Sequence, residues 1–309
     1  MTQAQGRAAA MEADAQSGAG AGEIFDLGYH GYEGQRHGRW QARRAIWRDG
    51  MRITLGLGRS VMKKVTPVVF IGLFWLPAVV VIVITGFIST FGGNTANIEG
   101  PTFAEYYDLA FIFVMLFAAV VAPELLCPDR REGVITLYLV RPVTSTDYIG
   151  ARWLAFLSVT AVALWFPQLL IFGWNALSAA DPGKWARNNW DELPRLFAAG
   201  AVLAIFFATL SLCVSSFTVR RPYAAIGTLA IIAISAAIGG IGQESFSGDI
   251  GDWSSLINLP VVTLSVSHWI FDVEGEGPLA DIAYIAWLTV LTLGCGALLW
   301  WRYRAPPGQ

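Results

Sequence analysis

Six stretches of this 309-residue chain run without a single charged side chain over lengths that suit the interior of a membrane. Val65 to Ile98 is uncharged and centres on FIGLFWLPAVVVIVITGFI. Leu109 to Pro123 is shorter, but Tyr106 and Tyr107 extend it, with Asp108 near one end. Trp153 to Ala180, Leu196 to Val219, Pro222 to Gln243 and Ile282 to Trp301 are uncharged as well. About 20 apolar residues in a helix span the hydrocarbon core, and in lipid a helix satisfies its own backbone groups. The expectation is an all-α integral membrane protein with six transmembrane helices, at residues 66–90, 106–126, 151–178, 194–218, 222–243 and 280–302. Pro77 and Pro167 fall inside spans, where neighbouring helices tolerate a kink. Composition agrees: 55% of residues are apolar and 14% charged, against roughly a quarter charged in ordinary soluble domains.

Trp253 to Phe271, WSSLINLPVVTLSVSHWIF, is also uncharged but differs in kind. It is rich in Ser, carries Asn258 and His268, and has Pro260 near its middle, with acidic, Gly-rich flanks. It reads as part of a short or re-entrant hairpin over 244–279 at the outer surface, between the fifth and sixth spans. A seventh crossing would place Arg302 and Arg304 on the wrong side.

That side follows from the basic residues. Seventeen Lys and Arg flank the spans on one face: nine between Arg36 and Lys64, then Arg130, Arg131, Arg141, Arg152, Arg220, Arg221, Arg302 and Arg304. Only Lys184, Arg187 and Arg195 flank them on the other. Both termini are therefore expected in the cytoplasm. Residues 1–38 are rich in Ala, Gly, Gln and Glu and read as a disordered cytoplasmic tail. No apolar stretch precedes residue 65, so no signal peptide is expected. Residues 39–64 interleave Trp40, Ile46, Trp47, Met51, Ile53, Leu55 and Leu57 with Arg, the pattern of a basic amphipathic helix on the inner leaflet. Its solvent face either docks a cytoplasmic partner or simply anchors the chain.

The motifs of soluble enzymes are missing. There is no G-x-x-x-x-G-K-[ST] loop to hold a nucleotide, no H-E-x-x-H and no CxxC. His30, His37 and His268 are far apart, and none lies in a span; His268 reads as a surface or interfacial residue. Cys127, Cys213 and Cys295 are scattered in apolar contexts and read as small buried hydrophobes. The span centres lack the charges that proton- or ion-coupled pumps usually need. No catalytic residue, metal site, cofactor or nucleic-acid partner is expected in this chain. Gln168 and Asn175 are costly in lipid and should face protein or a cavity. Gly239, Gly240 and Gly242 permit close backbone approach.

What stands out instead is the link between the second and third spans, PELLCPDRREGVITLYLVRPVTSTDYIGA, residues 123–151. Its charges are Glu124, Asp129, Arg130, Arg131, Glu132, Arg141 and Asp147, and Gly133 to Val140 mixes apolar and polar residues. A charged hairpin over 127–150 cannot lie in hydrocarbon, so it is displayed on the cytoplasmic face. The stretch ELLCPDRREGVITLYLVRPVTSTDYIGARWLA resembles the cytoplasmic link of ABC-2-type permeases, the membrane subunits of ATP-binding-cassette exporters. The positions that carry the likeness are Glu124, Arg130 or Arg131, Glu132, Gly133, Leu137, Leu139, Arg141-Pro142-Val143 and the Ser/Thr run at 144–146. Val134 departs from the usual Thr, and Asp147 and Arg152 stand near a usual Arg and Lys.

The resemblance implies a type V exporter-like permease in a prokaryotic inner membrane, paired with a second permease chain and seated on two ATPase subunits that hold ATP and Mg. It makes the hairpin a coupling helix whose ATPase contacts are Glu124, Asp129, Arg130, Arg131, Glu132, Gly133, Leu137, Leu139, Arg141 and Pro142. It also implies a cargo path through the second and fifth spans, nominating Phe111, Met115, Phe117, Thr228, Ile231 and Ser235, with export of an apolar or amphipathic cargo. Two other readings share this topology: a membrane scaffold or sensor that binds an ATPase without transporting, and a membrane-embedded enzyme.

Overall fold

The computed structural model describes residues 38–57, 61–91, 103–134, 143–246, 248–273, 275 and 277–304. The expected tail at 1–38 lies outside them apart from Gly38. Every regular element among the described residues is helical. Helix α1 is Arg39–Thr54, α2 Val61–Phe91, α3 Phe103–Val121, α4 Pro123–Arg131, α5 Ser145–Ser178 and α6 Pro182–Asn188. They are followed by α7 Glu192–Ser216, α8 Arg221–Ser245, α9 Asp249–Ser254, a 3₁₀ turn at Ser255–Ile257, α10 Leu259–Ile270 and α11 Asp281–Arg304. Six spans are long and apolar enough to cross a membrane: Pro67–Phe87, Phe103–Arg131, Ser145–Ser178, Glu192–Ser216, Arg221–Ser245 and Asp281–Arg304.

Helix ends follow local chemistry. The expected amphipathic stretch 39–64 is divided: α1 stops at Thr54 because Gly56 takes a φ of 67°, and the N–H of Leu57 returns to the carbonyl of Arg52 at 2.7 Å. That is a glycine-closed Schellman stop. Along α1, Ile46, Gly50 and Thr54 recur every four residues and are buried, while Arg44, Arg48 and Arg52 repeat on the exposed side. The buried stripe faces α5 and α4. Helix α5 begins at Ser145, earlier than the span expected from 151, because Thr144 and Asp147 form a reciprocal capping box. At 1.5 Å per residue its 34 residues measure about 51 Å, longer than the roughly 30 Å hydrocarbon core. It is therefore longer than an untilted crossing of the hydrocarbon core needs.

The spans form an inner and an outer set. Of their apolar windows, those of α3, α5 and α7 are 61%, 56% and 67% buried, against 22%, 22% and 17% for α2, α8 and α11. Helix α7 touches α5, α11, α3 and α8. Between lipid-embedded helices, close packing and hydrogen bonds supply the attraction, because lipid tails are as apolar as Leu. The inner set shows both. Phe117 meets Phe74 edge-on at 5.6 Å and stacks on Phe156 at 5.5 Å. The Tyr107 hydroxyl donates to the Leu196 carbonyl at 2.5 Å and the Tyr106 hydroxyl to that of Phe74 at 3.1 Å. Gln168 is fully buried and donates to the Phe103 carbonyl at 2.8 Å, so it faces protein. Asn175 is half-buried.

Helix α10, with 12 residues, measures about 18 Å and is too short to cross. Asn258 caps it, accepting from the Val261 N–H at 3.4 Å. The segment lies against α8 where side chains are absent: a Cβ on Gly239 would stand 2.6 Å from that of Asn258, and one on Gly242 2.6 Å from that of Ser254. A Cβ on Gly240 would meet nothing within 4 Å.

Candidate functional site

Arg39, Arg43, Arg130, Arg152 and Arg221 all find partners where α1, α4, the start of α5 and the α7–α8 link meet. Arg152 is the centre of this cluster. It sits on the third turn of α5 and is 1% exposed. One terminal nitrogen donates to Asp49 of α1 at 2.8 Å and the other to Asp129 of α4 at 2.9 Å. The Tyr148 hydroxyl donates to the same Asp129 oxygen at 2.5 Å, and the guanidinium lies 5.5 Å from the Tyr148 ring centre. A buried cation is tolerable only when paired and hydrogen-bonded, so these contacts fix three helices relative to one another.

Asp147, one turn earlier, completes the attachment of α1. It accepts from Arg39 at 2.6 Å and Arg43 at 2.5 Å, and Arg39 also donates to the Thr144 hydroxyl at 3.1 Å. Between the two ionic anchors α1 touches α5 closely. A Cβ on Gly50 would lie 2.6 Å from that of Ala155. On the other side, α4 holds the α7–α8 link. Glu124 pairs with Arg221 at 2.7 Å, Arg130 donates to the Ser216 carbonyl, and the Cys127 thiol donates to that of Thr218 at 3.5 Å.

The end of α4 is the displayed part. Arg131, Glu132 and Gly133 are exposed. The Glu132 N–H closes the helix on the Pro128 carbonyl at 2.9 Å, and Gly133 turns the chain with φ 68°. Of the ten residues nominated for ATPase contact, Leu137, Leu139, Arg141 and Pro142 lie outside the described residues. Glu124, Asp129 and Arg130 are engaged inside the chain, and Arg131, Glu132 and Gly133 face outward.

The nominated cargo-path residues do not share one surface. Phe111 is buried against Phe207, edge-on at 5.3 Å, and Phe117 is enclosed by its aromatic neighbours. Thr228 is buried and donates to the Ala224 carbonyl at 3.0 Å. Met115 is half-buried. Ser235 accepts from the Leu259 N–H at 3.4 Å, and Ile231 is 43% exposed.

Several partners were not singled out from sequence. Asp49, Tyr148, Asp147 and Arg221 each find their counterpart on another helix, and Arg152 was read as a basic residue flanking a span and as standing near a usual Lys of the resembling link. One signal was available: Arg152 immediately precedes the apolar run beginning at Trp153, where an unpaired cation is expensive. His268 is likewise no surface residue. It is 7% exposed, and its Nε2 lies 2.8 Å from an Asp108 carboxylate oxygen on α3.

Among the described residues no group of His, Cys, Asp and Glu could hold a metal ion. The contacts of the Arg152 cluster tie α4 to α1, α5 and the α7–α8 link. The sequence profile of a family described as "ABC-2 family transporter protein" matches residues 2–246. No curated protein matches the chain.

Proposed function

The chain belongs to the ABC-2 transporter family, a family of multi-pass membrane permeases that work with ATPase partners, and from that premise we propose that the cluster around Arg152 couples ATP hydrolysis in partner subunits to movement of the spans. The observation that carries this reading is the double engagement of Arg152 by Asp49 and Asp129. A push on the outward-facing Arg131–Gly133 end of α4 is delivered to α1 and α5 together, because the three are tied through one buried cation.

In this reading two ATPase subunits, carrying ATP and Mg, seat against the α4 ends of two permease chains in a prokaryotic inner membrane. Both termini lie on the cytoplasmic side, α1 rests at the inner leaflet, and the α9–α10 hairpin lies at the outer surface. The cargo path forms between chains, along α8 and α3, and exports an apolar or amphipathic molecule. The exposed apolar face of α8, with Ile231, Ile234, Ile238 and Ile241, supports a second chain there.

Purification of the native complex in mild detergent tests the reading. An ATP-binding subunit should co-purify in equal number with the permease, and its ATP turnover should rise in the complex. A chain that purifies without any ATP-binding subunit would contradict it.

A further inference from the structure

A second feature of the basic end is a groove between α1 and α5 that encloses about 690 Å³. Trp40, Arg43, Arg44 and Trp47 of α1 form one wall, and Asp147 and Leu154 belong to the other. Charge and apolarity are separated along it. At one end Arg39 and Arg43 already neutralise Asp147, leaving a positive excess. The Arg43 side chain stays 40% exposed beside Asp147, and Arg44 is exposed and makes no ion pair among the described residues. At the other end the α5 wall becomes apolar. Leu154 lines the groove; Val162 and Phe166 lie beyond it along α5, Phe166 stacked on Trp75 of α2 at 4.9 Å, and the three are 49%, 58% and 47% exposed at spacings that put them on one side of the helix. Trp40, 71% exposed, and the half-buried Trp47 suit the polar–apolar boundary, where indole rings concentrate.

We propose that this groove binds an anionic phospholipid, with its phosphodiester between Arg43 and Arg44 and one acyl chain along Leu154, Val162 and Phe166. Guanidinium groups recognise phosphate oxygens through directed, charge-assisted hydrogen bonds, and basic residues at a membrane surface attract acidic headgroups. Arg44, which is exposed, and the accessible part of the Arg43 guanidinium, whose side chain is 40% exposed, are the donors such a phosphate needs. An apolar track continuing from them distinguishes a lipid from a soluble anion. The bound lipid would bridge α1 and α5 beside the Asp147 anchor, so leaflet charge would strengthen the attachment of α1. The site goes beyond the coupling reading, and binding is measured without an ATPase, so its failure would leave that reading untouched.

Native mass spectrometry of the full-length protein with added phosphatidylglycerol or phosphatidylcholine of identical chains is the test. Wild type should bind phosphatidylglycerol about thirtyfold more tightly than phosphatidylcholine, a shift of the size expected from two favourable charges. Arg44→Glu should abolish the preference, and Arg44→Ala should reduce it. Arg302→Glu, a charge reversal elsewhere on the basic residues, should leave it intact. Millimolar inorganic phosphate or glycerol phosphate should not displace the lipid. Equal affinity for the two lipids, or an unchanged preference in Arg44→Glu, would overturn the proposal. Displacement by inorganic phosphate would overturn it too, because the groove would then be a soluble-anion site.

Discussion

Arg152 reaches Asp49 across 2.8 Å, joining two residues 103 positions apart. The geometry makes α1 part of the transmembrane bundle rather than a detachable membrane anchor. The two partners are unequal: the Asp49 side chain is 52% exposed, while those of Arg152 and Asp129 are 1% and 15% exposed.

That inequality predicts a graded response. Arg152→Met removes the buried cation and leaves Asp129 facing only the Tyr148 hydroxyl, and breaking a buried pair costs about 3–5 kcal/mol. Asp49→Asn weakens a half-exposed pair and should cost about 1 kcal/mol or less. Thermal unfolding in detergent should therefore show a much larger fall for Arg152→Met. Equal falls would mean that Arg152 is not buried as described.

Close approach at Gly50 gives a second test. Gly50→Ala places a methyl group 2.6 Å from the Ala155 Cβ, and overpacking of this kind costs about 1–3 kcal/mol. Ala155→Gly should restore the lost stability when combined with it. Simple additivity of the two substitutions would show that α1 and α5 do not meet there.

Gly133 acts through its backbone. With φ at 68°, Gly133→Val should be strained by about 1–2 kcal/mol, whereas Gly133→Asn, which tolerates the left-handed region, should cost less. Because Gly133 is exposed, the strain should appear in the α4 turn and in partner binding, with little change in membrane insertion. Identical behaviour of Val and Asn variants in an ATPase pull-down would remove the turn from the account.

The six spans were legible because absence of charge over a bilayer's length has one physical cause. Gly239 was legible for a related reason, since a side-chain-free position in lipid usually marks close packing. The Arg152 cluster was not legible. Its partners come from α1, α4 and α5, and nothing local to PELLCPDRREG says that Asp129 turns inward to Arg152 while Glu132 turns out. The Glu124–Arg221 pair spans 97 positions and needs the α4 and α8 ends to be neighbours. Thr144 and Asp147 did carry a local signal, a capping box, but in a link defined by its charges they read as loop. Helix α5 consequently starts earlier than hydropathy alone indicates.

The central claim is that the α4 end receives the ATPase and the Arg152 cluster transmits its motion. The most direct measurement is Glu132→Arg in the reconstituted complex, scored for ATPase pull-down and for ATP turnover in lipid. Glu132 is exposed and closes α4 only through its backbone N–H, so the variant should insert and unfold like wild type. Charge reversal in a partly desolvated contact costs on the order of a few kcal/mol. Pull-down should fall sharply, or turnover should lose its dependence on the permease. Wild-type binding and wild-type turnover in Glu132→Arg would contradict the account.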